Sequence, residues 1–428
     1  MPLNETKIGH YRWRVIALLF FATTINYIDR QVLGMLKPVI SDEIHITEAD
    51  YGYIVSAFQA AYAIGLLFVG RIIDKMGTRI SYALSIVVWS VAGCLHAVAR
   101  GPLGFGIARF FLGIGESANF PAAIKATAEW FPIKERALAT GIFNSGSNVG
   151  AVVSPIIVTF LTVQYGWQCA FLVTGSLGFI WLICWLMFYK LPQNSKKLSR
   201  AEYAYINQDD KEEEADVESH ASVKDKINWW QLMKERSTIG ICLSRFVCDW
   251  VWWFFLFWTP DFMEKSYGVN IQQMVLPLIV IYTFSSFGGI AGGYLSSKLI
   301  NLGHHVSFSR KAALLTCALL VVPVALIPEI NSLWVSIGII SLACFAHQGW
   351  ASNIYTLVSD YYPKSRVATM TSIAGFTGSI GGVLAASFVG NILQITGSYF
   401  IVFLIASLAY LVAWLCLQLF LPRVAVAR

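Results

Sequence analysis

Charge is what this sequence has least of. Asp, Glu, Lys and Arg make up 13% of its 428 residues and hydrophobic residues 56%, where a soluble globular chain carries about 25% charged residues. That shortage excludes a soluble domain and leaves a polytopic membrane protein. The eight cysteines, Cys94, Cys169, Cys184, Cys242, Cys248, Cys317, Cys344 and Cys416, show no paired metal spacing. All lie in or beside apolar segments, where cysteine acts as a small buried apolar residue. Neither G-x-S-x-G nor H-E-x-x-H occurs, so a membrane hydrolase lacks its usual nucleophile and metal ligands. The expectation is a protein that is not an enzyme and uses no cofactor and no metal. No small-residue cleavage site follows the first apolar run, so that run is expected to target the chain by itself. The net charge of +6 does not point to nucleic acid, because the basic residues sit in loops beside apolar segments.

What is abundant is apolar segments of membrane-spanning length, which takes about 20 residues as a helix. They fall near 12–36, 52–72, 80–99, 103–124, 138–161 and 169–189, then near 238–263, 274–298, 311–328, 332–358, 367–392 and 400–421. The fold class expected is all-α, with twelve transmembrane helices in two six-helix pseudo-symmetric bundles, residues 1–189 and 238–428. Between them, residues 190–237 carry the run Asp209-Asp210-Lys211-Glu212-Glu213-Glu214. They read as a solvated linker with short amphipathic helices such as Asn228–Lys234 lying against the membrane. Placing both termini and this linker on one side puts 24 of the 31 Lys and Arg there, with Lys37, Arg100 and Lys265 in the opposite loops and four within helices. The positive-inside rule makes that side cytoplasmic.

The halves echo each other. Glu129-Trp130-Phe131-Pro132, then Arg136, precedes a helix with Gly141, Gly146 and Gly150. Asp360-Tyr361-Tyr362-Pro363, then Arg366, precedes one with Gly375, Gly378, Gly381 and Gly382. Duplicated halves with a midplane site between them are a common transporter plan, and such glycines let helices approach closely.

The few charges inside the apolar runs are the functional candidates. Asp29 and Arg30 sit in the first segment, within Asn26-Tyr27-Ile28-Asp29-Arg30. Arg109 and Glu116 sit in the fourth, seven residues and so two turns apart on one face. Charge at membrane depth is costly and persists where it faces a bundle interior or a water-filled cavity. Purely structural ion pairs explain it poorly, since apolar residues of similar volume often do as well.

The loop Gly70-Arg71-Ile72-Ile73-Asp74-Lys75-Met76-Gly77-Thr78-Arg79 matches the G-x-x-x-D-[RK]-x-G-x-[RK] signature of the major facilitator superfamily, and Gly292-Gly293-Tyr294-Leu295-Ser296-Ser297-Lys298 resembles a decayed copy without the aspartate. The chain also resembles the anion–cation symporter family, and within it bacterial hexuronate transporters. That likeness is carried by Asn26–Arg30, Gly113-Ile114-Gly115-Glu116, Ala128–Pro132 with Glu135-Arg136, Gly141-Ile142-Phe143-Asn144, Ala346-His347-Gln348-Gly349 and Leu357-Val358-Ser359-Asp360. The resemblance implies proton-coupled symport of a sugar-acid anion such as galacturonate or glucuronate, in a bacterial inner membrane, by a functional monomer. Relatives carrying aldonates or aldarates share several of these motifs, so those substrates stay open, as does a transporter-like nutrient sensor.

A carboxylate substrate needs a fixed cation, and arginine offers two parallel N–H donors. Arg30 is the first choice, with Tyr27 and Tyr62 as hydroxyl partners and Arg109 as a second cation. Because arginine keeps its proton, the coupling proton must ride on Asp29 or Glu116, and the sequence does not choose between them. Gln59, Asn144, Ser147, Asn148, His347, Gln348, Asn353 and Tyr355 are the candidates for the sugar hydroxyls. Gly70, Asp74, Lys75, Gly77 and Arg79 are expected to gate, with Asp74 latching the two bundles. Arg245, four residues before Asp249, can neutralise it, and Lys125 can snorkel towards the cytoplasm.

Overall fold

The computed structural model describes residues 9–195, 197–208, 229–362 and 364–421. The first half holds α1 (Tyr11–Ile44), α2 (Glu48–Met76), α3 (Thr78–Leu95), α4 (Pro102–Glu116), α5 (Asn119–Trp130), α6 (Ile133–Tyr165) and α7 (Trp167–Phe188). Two short linker helices follow, α8 (Arg200–Ile206) and α9 (Trp229–Lys234). The second half holds α10 (Arg236–Tyr267), α11 (Ile271–Asn301), α12 (Val306–Val321), α13 (Leu333–Tyr361), α14 (Lys364–Thr396) and α15 (Phe400–Phe420). Ten of these pass as membrane spans by length and composition. The twelve crossings are completed by α1, which carries its charges inside, and by α4 and α5, one crossing interrupted at Ser117 and Ala118.

Local chemistry sets the ends. Thr47 opens α2 with a capping box closed by Asp50, and Asn270 opens α11 with one closed by Gln273. These two helices correspond in the two halves, so the same cap is built twice at the same end of the molecule. Gly77, at φ +78°, turns α2 into α3 in a conformation that a Cβ would strain. The other repeated element is an acid at the last turn of α5 and of α13. Glu129 accepts from Thr78 at 2.7 Å and from Tyr189, while Asp360 accepts from Arg310 at 3.0 Å. Each acid thus ties the end of a fourth helix to the start of a third. The linker helix α8 docks on the first half through Glu202, which accepts from Arg12 at 3.2 Å, while Arg12 also reaches Glu135 at 2.9 Å. In α9 Leu232 is buried, as an amphipathic helix requires.

The contacts that join the halves gather at the end where α1 finishes and α2 begins. Glu48, Tyr51, Ser56 and Thr159 bond to Gln394, Phe257, Val383 and Ile271 across the interface. Helices α2 and α14 nearly touch there. A Cβ on Gly52 would lie 2.8 Å from the Ala386 carbonyl oxygen and 3.0 Å from the Cα of Gly390. One apolar cluster, including Leu36 and Ile54 with Phe254 and Phe257, runs through both halves. A second, around Tyr82, Trp89, Trp130 and Trp185, belongs to the first half and takes in Ile206 of the linker helix α8. The molecule is closed at the end remote from the N-terminal residue of α1.

One boundary differs from the sequence reading. Lys37 is not in a loop but inside α1, which continues through Pro38 to Ile44. A proline ring crowds the carbonyl four residues earlier, and that residue is Gly34. The Gly34 backbone lies against Leu256 and Phe257 of α10, and such packing lets membrane helices continue past proline.

Candidate functional site

Arg30 stands at the centre of the site. Its Nε and Nη2 both donate to one oxygen, Oε2, of Glu116 of α4, at 2.9 Å and 2.7 Å, leaving Oε1 unpaired, and its Nη2 also donates to Asn26 at 3.3 Å. The pair is almost fully enclosed, with side-chain exposures of 3% and 0%. Four rings surround the guanidinium: Tyr27 at 5.0 Å, Tyr62 at 5.1 Å, Phe58 at 5.3 Å and Trp253 at 5.3 Å. Trp253 comes from α10, so the second bundle contributes to the cage. Aromatic faces attract a cation most strongly when water is excluded.

Arg109 behaves differently. Its guanidinium donates to the backbone carbonyl of Arg30 at 3.2 and 3.3 Å and packs over Phe58 and Phe257. It braces the turn of α1 that carries Arg30. Asp29 is buried, neither carboxylate oxygen makes a hydrogen bond, and Thr174 of α7 stands beside it. An isolated charge in such a place is very expensive.

The remaining sequence candidates divide by place. Gln59 is buried with its amide unpaired and aimed at Gly382 of α14. Tyr355 is half exposed and carries the Arg245 guanidinium 5.2 Å from its ring. His347 stacks on Trp252 at 5.1 Å and its Nδ1 meets the Tyr410 hydroxyl at 2.5 Å. Ser147 spends its hydroxyl on the Asn144 carbonyl at 2.7 Å, Asn144 is exposed, and Asn148 and Gln348 are half-buried. Asn353 is not brought to the site: its amide donates to Gly292 and Gly349 at 2.9 Å each, joining α13 to α11. Among the gating candidates Gly70 has open space around it, Lys75 is exposed, and Arg79 donates to Leu186 at 2.6 Å. The side chain of Asp74 lies outside the described residues. Lys125 donates to the Ile73 carbonyl at 3.3 Å.

A second charged cluster closes the end of the molecule above this site. Lys37 of α1 pairs with Glu48 at 2.8 Å and with Asp261 of α10 at 2.5 Å. Lys265 pairs with Glu48 and, at 3.2 Å, with Asp261, whose carboxylate also takes the Tyr399 hydroxyl. Two cations and two acids, drawn from both halves, therefore alternate across the interface. Sequence reading passes over this cluster because it ends the first segment at residue 36 and places Lys37 and Lys265 in loops. The available signal is the pairing Lys37-Pro38 and Pro260-Asp261 in the corresponding first helices of the two halves.

The Major Facilitator Superfamily matches residues 19–386 of the chain. The hexuronate transporter of Escherichia coli (strain K12) is 33% identical over 416 residues, covering 96% of this chain and 95% of that one. The galacturonate transporter of Dickeya chrysanthemi is 35% identical over 289 residues, covering 68% of this chain and 82% of that one. Among solved structures, a D-xylose-proton symporter superposes with a TM-score of 0.74 at 14% identity, covering 97% and 99% of the two chains.

Proposed function

We propose that this chain, which belongs to the major facilitator superfamily, carries a sugar-acid anion, a hexuronate such as galacturonate or glucuronate, into the cell together with protons by alternating access. The observation that carries this reading is the buried Arg30–Glu116 pair, caged by aromatic rings from both bundles. A carboxylate entering the cage meets a guanidinium whose partner is another carboxylate, so the substrate displaces Glu116 from a fork that fits either. The released Glu116 is then a buried acid without its cation, and taking up a proton removes the cost of its charge. Asp29, one residue from Arg30 and without a hydrogen bond, is the second acid of the relay and the preferred carrier of the coupling proton. With Asp29 protonated, the two arginines outnumber Glu116 by one positive charge, which the substrate carboxylate balances. The rings of Tyr27, Tyr62 and Trp253 supply the apolar faces and hydroxyls that a sugar acid needs.

With both termini cytoplasmic in a bacterial inner membrane, as the lysine and arginine distribution favours, the closed end is the outer one. The form described is then inward-facing. Lys37, Glu48, Asp261 and Lys265 form the outer gate in this reading, and the Gly70–Arg79 stretch, where Gly77 turns α2 into α3 rather than forming the loop expected from the sequence, belongs to the inner one.

Counterflow in proteoliposomes loaded with unlabelled sugar acid tests the substrate class. Labelled galacturonate or glucuronate is expected to exchange, with galactonate and galactarate slower and galactose inert. A protein that binds a hexuronate without exchanging it is a sensor, and one that exchanges galactose equally well is not an anion carrier.

A further inference from the structure

We propose that Arg245 and Asp249 of α10 form the far end of the sugar-acid site, and that their mutual neutralisation limits the substrate to one carboxylate. This rests on the reading that Arg30 receives that carboxylate. Arg245 Nε donates to Asp249 at 2.7 Å across one helical turn. Unlike the sealed Arg30–Glu116 pair, both side chains keep some exposure, 14% and 16%. Room for the acid is built in: Gly378 of α14 faces it, and a Cβ there would collide with the carboxylate.

The pair connects to Arg30 by two routes. Along α10, Asp249 lies one turn, about 5.4 Å, before Trp253, whose ring sits against Arg30. That rise is comparable with a six-carbon chain held by its two ends. Between α10 and α13, the Arg245 guanidinium rests on Tyr355, and Tyr355 is within electrostatic range of Tyr27 and Tyr62, the rings that flank Arg30. Nearby, His347 feels both members of the pair and is held between Trp252 and Tyr410.

Chemistry decides what such an end accepts. An arginine facing the cavity alone would bind a second carboxylate as readily as Arg30 binds the first. Unlike the inter-helix Arg30–Glu116 pair, Arg245 and Asp249 are tied within one turn of the same helix, so the acid stays beside the guanidinium and repels a second anion at close range. Their remaining N–H groups and oxygen suit neighbouring hydroxyls, one as donor and the other as acceptor. The site therefore favours a sugar monoacid, with hydroxyls or a ring at its far end, over an aldarate with a carboxylate at each end.

The test is the ratio of dissociation constants for galacturonate and galactarate on purified protein. Wild type is expected to prefer galacturonate. Asp249→Asn frees Arg245 and is expected to move the ratio towards galactarate by about tenfold or more, the worth of one charged hydrogen bond. Arg245→Gln with Asp249→Asn, which leaves no charge at this end, is expected to lose that gain. An unchanged ratio in a folded Asp249→Asn protein overturns the proposal. Should that single variant fail to fold, wild type binding galactarate as tightly as galacturonate overturns it instead. Arg30→Lys separates the two readings: if it leaves galacturonate binding intact, Arg30 is not the carboxylate site, while the Asp249→Asn ratio still reports whether the far end reads charge.

Discussion

At the scale of single residues the account turns on four charges in the first bundle. Arg30→Lys keeps the charge but loses the planar fork and the stacking on four rings. Hexuronate affinity is expected to fall by about tenfold or more, since charged hydrogen bonds contribute roughly 1.5–3 kcal/mol, and calorimetry of the purified variant reads this directly. Asp29→Asn and Glu116→Gln are expected to diverge. Both should stop accumulation driven by a pH gradient. Asp29→Asn should keep substrate-for-substrate exchange, because the amide imitates the protonated acid, whereas Glu116→Gln also alters the partner that the substrate displaces. Uptake and counterflow measured on the same vesicles check this, and equal accumulation by both variants and wild type would place the proton elsewhere. Asp29, Arg30, Arg109 and Glu116 are legible in the sequence because a charge in an apolar run is conspicuous. Their division of labour is not. That Arg109 grips a backbone carbonyl and that Asp29 has no hydrogen bond depend on which way each side chain turns within the bundle.

At the scale of helices, α1 and α2 show how far a pattern reaches. Hydropathy finds both, and the capping box at Thr47 marks where α2 begins. The continuation of α1 past Pro38 escapes sequence reading because it depends on packing against α10, and with it escapes the Lys37–Asp261 pair. The interruption at Ser117 and Ala118 is likewise set by packing: Ser117 fills the space beside Gly65, where a Cβ would strike its hydroxyl. Two predictions belong here. Gly52→Val places side-chain atoms against the backbone of Ala386 and Gly390, so closure at this end should fail and transport should fall much more than hexuronate binding. Asp261→Asn removes the acid shared by Lys37, Lys265 and Tyr399. A cysteine at Ser56, introduced after the eight native cysteines are replaced, should then label faster from outside the cell by about tenfold, which takes only ~1.4 kcal/mol. Unchanged labelling would show that the cluster does not hold this end shut.

At the scale of the whole molecule, the described residues join the two halves through close-packed helices and charge pairs, and the charged constellation lies where both halves reach it. Closure at one end is built from close-packed glycines and alternating charges, while Arg30 reaches a ring of the opposite bundle. Twelve crossings and the internal repeat are written in hydropathy and in paired motifs such as Glu129-Trp130-Phe131-Pro132 and Asp360-Tyr361-Tyr362-Pro363. The end at which the halves join is not, because one sequence must serve both alternating forms. The measurement that bears most directly on the central claim is galacturonate uptake into proteoliposomes under an imposed pH gradient, acid outside. Accumulation of galacturonate above its outside concentration, abolished by a protonophore and absent for galactose, is the predicted result. Equilibration to the outside concentration and no further, with or without the gradient, would contradict proton-coupled sugar-acid transport.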